Sequence, residues 1–170
     1  ENYTEKPVIF DSLSFIYKKI QVEEIIKNLK PRQYFQIHKD CNIYFCNSSF
    51  FKMGKEMFEI FKGILDRDEK AVIFLTKLSF SDYDFLFYVA LEQNLGLSYT
   101  NRIRLMPRLS DEENMNMLYL SDVFIESYPF GNMNSTLECF AVAYDLCILF
   151  CCTVITKHSK VLFVLNKAVQ

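Results

Sequence analysis

The sequence is most informative at first for what it lacks. It has no G-x-G-x-x-G and no G-x-x-x-x-G-K-[ST], so neither an ordinary dinucleotide fold nor a P-loop NTPase is supported. It has no C-x-x-C pair among its six cysteines, and its two histidines, His38 and His158, stand far from a cysteine quartet. A zinc site is therefore not expected. Neither histidine has a Ser or Cys at catalytic spacing, so no nucleophilic triad is expected either. There is no basic excess: the formal net charge is −2, which argues against nucleic acid or an anionic membrane as the main partner. The longest apolar run, residues 146–155, is about half of what a membrane span needs. Tryptophan is absent, although there are 17 Phe and 10 Tyr. No signal peptide precedes Glu1, so the chain reads as a fragment or excised region, and its thiols as reduced in a cytoplasmic protein.

What is present is a chain of 170 residues, 51% hydrophobic, enough for one domain with a real core. Residues 1–40 read as a linker or the end of an upstream domain. They hold a short apolar stretch at 7–10 and helical spacing over 16–29, stopped by Pro31. From residue 42 the pattern is regular. Apolar runs at 42–46, 71–75, 103–106, 122–125 and 146–150 read as strands. Between them, helical spacing predicts one helix from near Gly54 to Leu65 and another over 79–95, closed by Gly96. A third starts at Ser110 with Asp111, Glu112 and Glu113 in its first turn and an apolar face at Met117, Leu118 and Leu120. A fourth covers 134–143, suggested by apolar spacing at Leu137, Phe140, Ala141 and Tyr144. Residues from Thr156 onward read as a last helix or strand. Apolar strands alternating with helices are the pattern of an α/β fold, a Rossmann-like parallel sheet with helices on both faces, here over residues 41–170. In such folds ligands bind at the carboxyl ends of the strands.

The stretch 127–138, Ser-Tyr-Pro-Phe-Gly-Asn-Met-Asn-Ser-Thr-Leu-Glu, joins a strand to a helix through small polar residues. A helix N-terminus there favours an anion, and Glu138, about one turn in, is within reach of a sugar hydroxyl beside a bound phosphate. The plainer reading is a turn that only reverses the chain. Lys52 follows the first strand by six residues and has two Phe beside it to pin its loop. It is suited to neutralising a diphosphate, or it is a solvated surface lysine. Arg102, Arg104 and Arg108 flank a strand; alternation puts Arg102 and Arg104 on one face, and a solvated strand edge explains them equally well. Asp66 and Asp68 form an Asp-x-Asp on the opposite edge and read as a charged turn.

These residues together resemble the C-terminal catalytic half of the O-linked N-acetylglucosamine transferase family, including its bacterial and protist-type relatives and the protein N-glucosyltransferases. The resemblance is carried by Tyr44-x-Cys46, Ser49-Phe50-Phe51-Lys52, Ile64-Leu65, Ala71-Val72-Ile73-Phe74-Leu75, Asn101-Arg102-Ile103-Arg104-Leu105-Met106-Pro107, Ser121-Asp122-Val123-Phe124-Ile125 and the 128–138 turn, in order over about residues 31–165. It implies the C-terminal domain of a GT-B glycosyltransferase that moves a sugar from a UDP-sugar to a protein side chain. It implies no metal and no cofactor besides the donor, and a missing N-terminal half that completes the cleft. Lys52 matches the lysine that neutralises the donor diphosphate and stabilises the leaving UDP. Asn134 and Ser135 match the turn that binds the phosphates, and Glu138 the acid that holds the ribose. Arg108 and Leu109 match the backbone position beside the uracil. Asn114 lies where some relatives place a His near the donor. The chain departs from the family at Ala143-Tyr144-Asp145, where a Gly-x-Pro is usual, at Cys151-Cys152-Thr153 in place of a Gly-rich turn, and at Ser159-Lys160-Val161. Those departures favour the alternative, a non-catalytic nucleotide-binding or interaction domain decayed from such an enzyme.

Overall fold

A computed structural model describes residues 11, 20–76, 82–142 and 147–149. The expectations for residues 7–10, the start of the 16–29 and 79–95 helices, 143–146, and everything from Phe150 on, His158 included, lie outside them.

Five strands form one sheet: β1 (Asn42–Cys46), β2 (Ala71–Thr76), β3 (Ile103–Met106), β4 (Val123–Ile125) and β5 (Cys147–Leu149). Every pairing is parallel and the order is β3-β2-β1-β4-β5. Each predicted strand is present within one residue of its expected bounds. The sheet is buried on both faces, and successive side chains alternate between two apolar layers. Ile43, Phe45, Phe74 and Phe124 enter one layer; Cys46, Ile73, Leu75 and Ile125 enter the other.

The helices divide between the layers. α1 (Val22–Lys27), α5 (Asp111–Leu120) and α6 (Met133–Val142) cover the first, with Met117, Leu118, Cys139 and Val142 buried. α2 (Lys55–Arg67) and α3 (Asp82–Leu95) cover the second, each by a row spaced one turn apart: Met57, Phe61 and Leu65 on α2, Phe87, Leu91 and Leu95 on α3. A short α4 (Leu97–Thr100) follows Gly96, whose φ of 84° ends α3 where a side chain would be strained. α5 begins with a complete capping box: the Glu113 N–H donates to Ser110 Oγ at 3.2 Å and the Ser110 N–H to Glu113 Oε2 at 2.9 Å. Asn116, fully buried on α5, accepts the Lys30 N–H at 2.6 Å and ties the segment after α1 to the domain.

Two expectations are corrected. The apolar face assigned to α6 is rotated: Phe140 is 48% exposed, while Asn132, Thr136, Cys139 and Val142 turn inward. A polar anchor sets that rotation, because the Thr136 hydroxyl donates to buried Glu126 at 3.0 Å. Arg102 and Arg104 do not serve one face. Arg102 lies before β3 and donates to the carbonyls of Leu65 and Asp68 at 2.6 and 2.8 Å, closing the C-terminus of α2. Arg104 reaches the Gln36 carbonyl at 2.9 Å, beside the other layer.

Asp68 is a turn residue. Burial opposes its charge, but bonds from Asn42, the Lys70 N–H and Tyr44 outweigh this and hold its carboxyl below the ordinary range. Asp66 accepts from Tyr99 at 2.6 Å. Among the described residues no helix is long and apolar enough to cross a membrane.

Candidate functional site

The strand order reverses between β1 and β4. The chain steps outward from β1 through β2 to β3, then returns to place β4 on the other side of β1. Loops leaving the carboxyl ends of β1 and β4 therefore diverge to opposite faces and leave a crevice between them. Both predicted loops lie there: residues 47–54 after β1 and 126–132 after β4.

The β1 loop is a single 3-10 turn, Phe50–Lys52, followed by Gly54 as the N-cap of α2. The Phe50 ring meets Phe87 of α3 edge-on at 5.1 Å, so one of the two phenylalanines expected to pin the loop does so. The β4 loop crosses it. The Gly54 N–H donates to the Tyr128 carbonyl at 2.6 Å, Met53 and Pro129 form a bridge, and the Tyr128–Pro129 peptide is cis. A Cβ on Gly54 would lie 3.2 Å from Pro129 Cδ, so the crossing is close enough that the proline ring would have to give a little to admit a side chain; the 2.6 Å approach to the Glu56 carboxylate is to the movable end of a long side chain.

Lys52 sits at this crossing with an exposed side chain. Its Nζ donates to Asn132 Oδ1 at 3.1 Å, across 80 residues of sequence. Asn132 is the residue before α6, and its carbonyl accepts the Thr136 N–H at 2.8 Å, the first bond of the helix. The lysine thus stands at the helix N-terminus, where backbone N–H groups lack intrahelical partners and the dipole is positive. Among the described residues no carboxylate forms an ion pair with it.

Asn134 is exposed and Ser135 half-buried in the first turn of α6, on the same edge as Lys52. Glu138 follows within α6 and is partly buried. Burial first, and the Asp111 carboxylate of α5 second, raise its carboxyl above the ordinary range. Asn114 on α5 accepts from Asn47 Nδ2 at 3.3 Å, which joins it to the end of β1, and the buried Oδ1 of Asn47 has no partner among the described residues. Arg108 and Leu109 lie in the segment from β3 to α5. Leu109 packs against the core, and Arg108 is exposed. The fold thus brings Lys52 directly to the start of α6 and joins Asn114 to β1, whereas Arg108 and Leu109 enter from β3, two strands away from β1.

Sequence reasoning passed over three residues here. Glu126, 7% exposed, follows β4 and accepts both the Asn132 N–H and the Thr136 hydroxyl on Oε1, each at 3.0 Å. Asn132 donates from Nδ2 to buried Ser48 Oγ. A Cβ on Gly131 would stand 3.0 Å from the Glu126 carboxylate, so glycine leaves room for that bond. An acid directly after a buried strand was the available signal for Glu126. Ser48 and Asn132 gave none, since their contact depends on which strands are neighbours. The buried thiols are not nucleophiles: burial pushes Cys46 up to about 11 and Cys139 up to about 12.

No protein-family model matches the chain, and no curated protein matches it in sequence. Solved structures do. The fold is similar to a mutant of the Thermobaculum terrenum O-GlcNAc transferase, at 18% identity and a TM-score of 0.51, covering 59% of this chain and 19% of that one. It is similar to a UDP-forming α,α-trehalose-phosphate synthase from Burkholderia xenovorans, at 13% identity and a TM-score of 0.54, covering 75% of this chain and 34% of that one. A UDP-N-acetylglucosamine 2-epimerase-like protein of Listeria monocytogenes matches at 14% identity and a TM-score of 0.50, covering 78% and 35%. The chain spans about a fifth to a third of the length of these structures. At such identities the likeness is one of fold: a parallel α/β domain of the kind found in GT-B glycosyltransferases.

Proposed function

We propose that this chain is the nucleotide-sugar-binding domain of a glycosyltransferase, taking a UDP-sugar as donor and a protein side chain as acceptor. The observation that carries the reading is the Lys52 ammonium held at the N-terminus of α6, at the switch point of the sheet, with no carboxylate paired to it among the described residues. A cation and a positive helix end at one spot are suited to a diphosphate. Asn134 and Ser135 offer their N–H groups and side chains to the phosphates. Glu138 takes the ribose hydroxyls, and the loop with Arg108 and Leu109 takes the base, with Asn114 at the sugar end. Lys52 then stabilises the UDP as negative charge builds on it during transfer. One of the similar structures is a UDP-forming synthase and another a UDP-N-acetylglucosamine 2-epimerase-like protein, which supports a uridine nucleotide. The acceptor side of the cleft belongs to a second domain. The finer reading, a protein acceptor, rests on the motif order of the sequence.

Calorimetric titration of the 170-residue chain with UDP, repeated on Glu138→Ala, tests the reading. Binding that weakens about tenfold or more in the variant is expected, the size of one lost charge-assisted bond. No heat of binding from a chain shown to be folded would refute it and favour a domain that has lost its ligand.

A further inference from the structure

Asn132 joins parts of the site that lie far apart in the chain. Nδ2 donates to Ser48 Oγ on the turn after β1, and Oδ1 accepts from Lys52 Nζ at 3.1 Å. Its own N–H, like the Thr136 hydroxyl, is held by Oε1 of Glu126. The residue is 7% exposed. Every polar end of Asn132 is therefore engaged: the backbone is pinned from below by a carboxylate, and the amide is pinned from the side by a serine. Turning the amide over would set Nδ2 against the ammonium, donor against donor. One orientation remains, and it aims a neutral oxygen at Lys52.

A neutral acceptor has a consequence that a carboxylate would not. A lysine side chain has four rotatable bonds and loses much freedom when it is fixed on a ligand. A hydrogen bond to an amide restricts those bonds in advance and leaves the positive charge available. An aspartate at the same place would restrict them as well, but would pair with the ammonium and set a negative charge beside incoming phosphates.

We propose that Asn132 is a positioning residue that holds the Lys52 ammonium toward a bound diphosphate without neutralising it, with Ser48 and Glu126 fixing the amide that does so. This rests on the donor-binding reading above. Asn132 acts through Lys52, so its contribution to binding exists only while Lys52 is present.

The test is a double-mutant cycle read by calorimetric titration with UDP on the full 170-residue chain. The variants are Asn132→Ala, Asn132→Asp and Lys52→Ala, with Asn132→Ala combined with Lys52→Ala. Asn132→Ala should weaken UDP about 3- to 10-fold, the scale of one additional long side chain immobilised on binding. Asn132→Asp should weaken it more, about 10- to 100-fold, and added salt should narrow the gap. In the Lys52→Ala background, Asn132→Ala should change affinity less than about twofold. A merely structural role would give the same loss in both backgrounds, and that result overturns the proposal. So does an unchanged affinity in Asn132→Ala. If Asn132→Ala does not fold, Ser48→Ala frees the amide from the other side and decides the matter: a loss of about 2- to 5-fold that disappears with Lys52→Ala supports the proposal, and equal or absent losses overturn it. Wild-type chain that binds UDP while the Asn132 variants match it, and Lys52→Ala still weakens it, refutes this inference and leaves the donor-binding reading intact. Folded wild-type chain that does not bind UDP refutes both.

Discussion

Replacing Lys52 with alanine separates the proposed chemistry from the fold. The side chain is exposed, its one described bond is to a neutral amide, and among the described residues no ion pair is broken when it is removed. Stability should therefore change by no more than about 0.5 kcal/mol. Affinity for UDP should change far more. Unit charges about 4 Å apart near a protein surface attract with about 4 kcal/mol, before the cost of desolvating the ammonium and ordering its stem. Measured hydrogen bonds to charged groups, which include those costs, contribute about 1.5–3 kcal/mol. The dissociation constant should accordingly rise about 10- to 150-fold, and Lys52→Arg should recover part of the loss by keeping the charge. The assay is calorimetric titration with UDP at low and at moderate salt, with thermal melting of the same samples. Salt should weaken wild type more than the variant, because screening acts on the contact that the variant lacks. A change in affinity below about threefold, or a fall in melting temperature as large as that of a core substitution, would refute the reasoning.

Other substitutions test other links. Glu138→Gln should raise the melting temperature near pH 7 while weakening UDP: the raised carboxyl of Glu138 costs stability once it ionises, so its stabilising influence is present below its unfolded value and lost as pH rises through the folded one. Glu113 has the opposite sign. The capping bonds at Ser110 and the hydroxyl of Tyr34 lower it from 4.5 to about 2, so its contribution is present above pH about 4.5 and lost as pH falls toward 2. Acid titration of stability should be shallower in Glu113→Gln over that window. Arg102→Ala should cost about 1–3 kcal/mol in denaturant unfolding, because two carbonyls at the end of α2 lose a charged donor, and it should leave UDP affinity within about twofold.

How much of this was legible in the sequence follows from which interactions are local. Strands β1, β2 and β4 are legible because both their faces are largely buried, so each is mostly apolar, and β3 because Ile103, Leu105 and Met106 keep an apolar run around the exposed Arg104. The start of α5 is legible because its capping box is complete within four residues. The rotation of α6 is not, because it is set by one hydroxyl, Thr136, reaching a carboxylate on the preceding strand end. Apolar spacing alone favoured Phe140, which the structure leaves at the surface. Arg102 was misread for a related reason: it lies before β3, where strand alternation does not apply. In the candidate site, Lys52 and the 127–138 turn could be singled out one at a time. Their meeting through Asn132 could not, since it depends on β4 returning to lie beside β1, and chain order does not specify that neighbour.

The most direct test of the central claim is the amide spectrum of 15N-labelled chain during titration with UDP. The account predicts that the largest shifts fall on residues 47–52 and 132–138, where the β1 turn and the N-terminus of α6 face the switch point, and that they saturate together with a single dissociation constant. A folded spectrum that does not move, or shifts confined to the opposite edge of the sheet around Asp66 and Asp68, would contradict it.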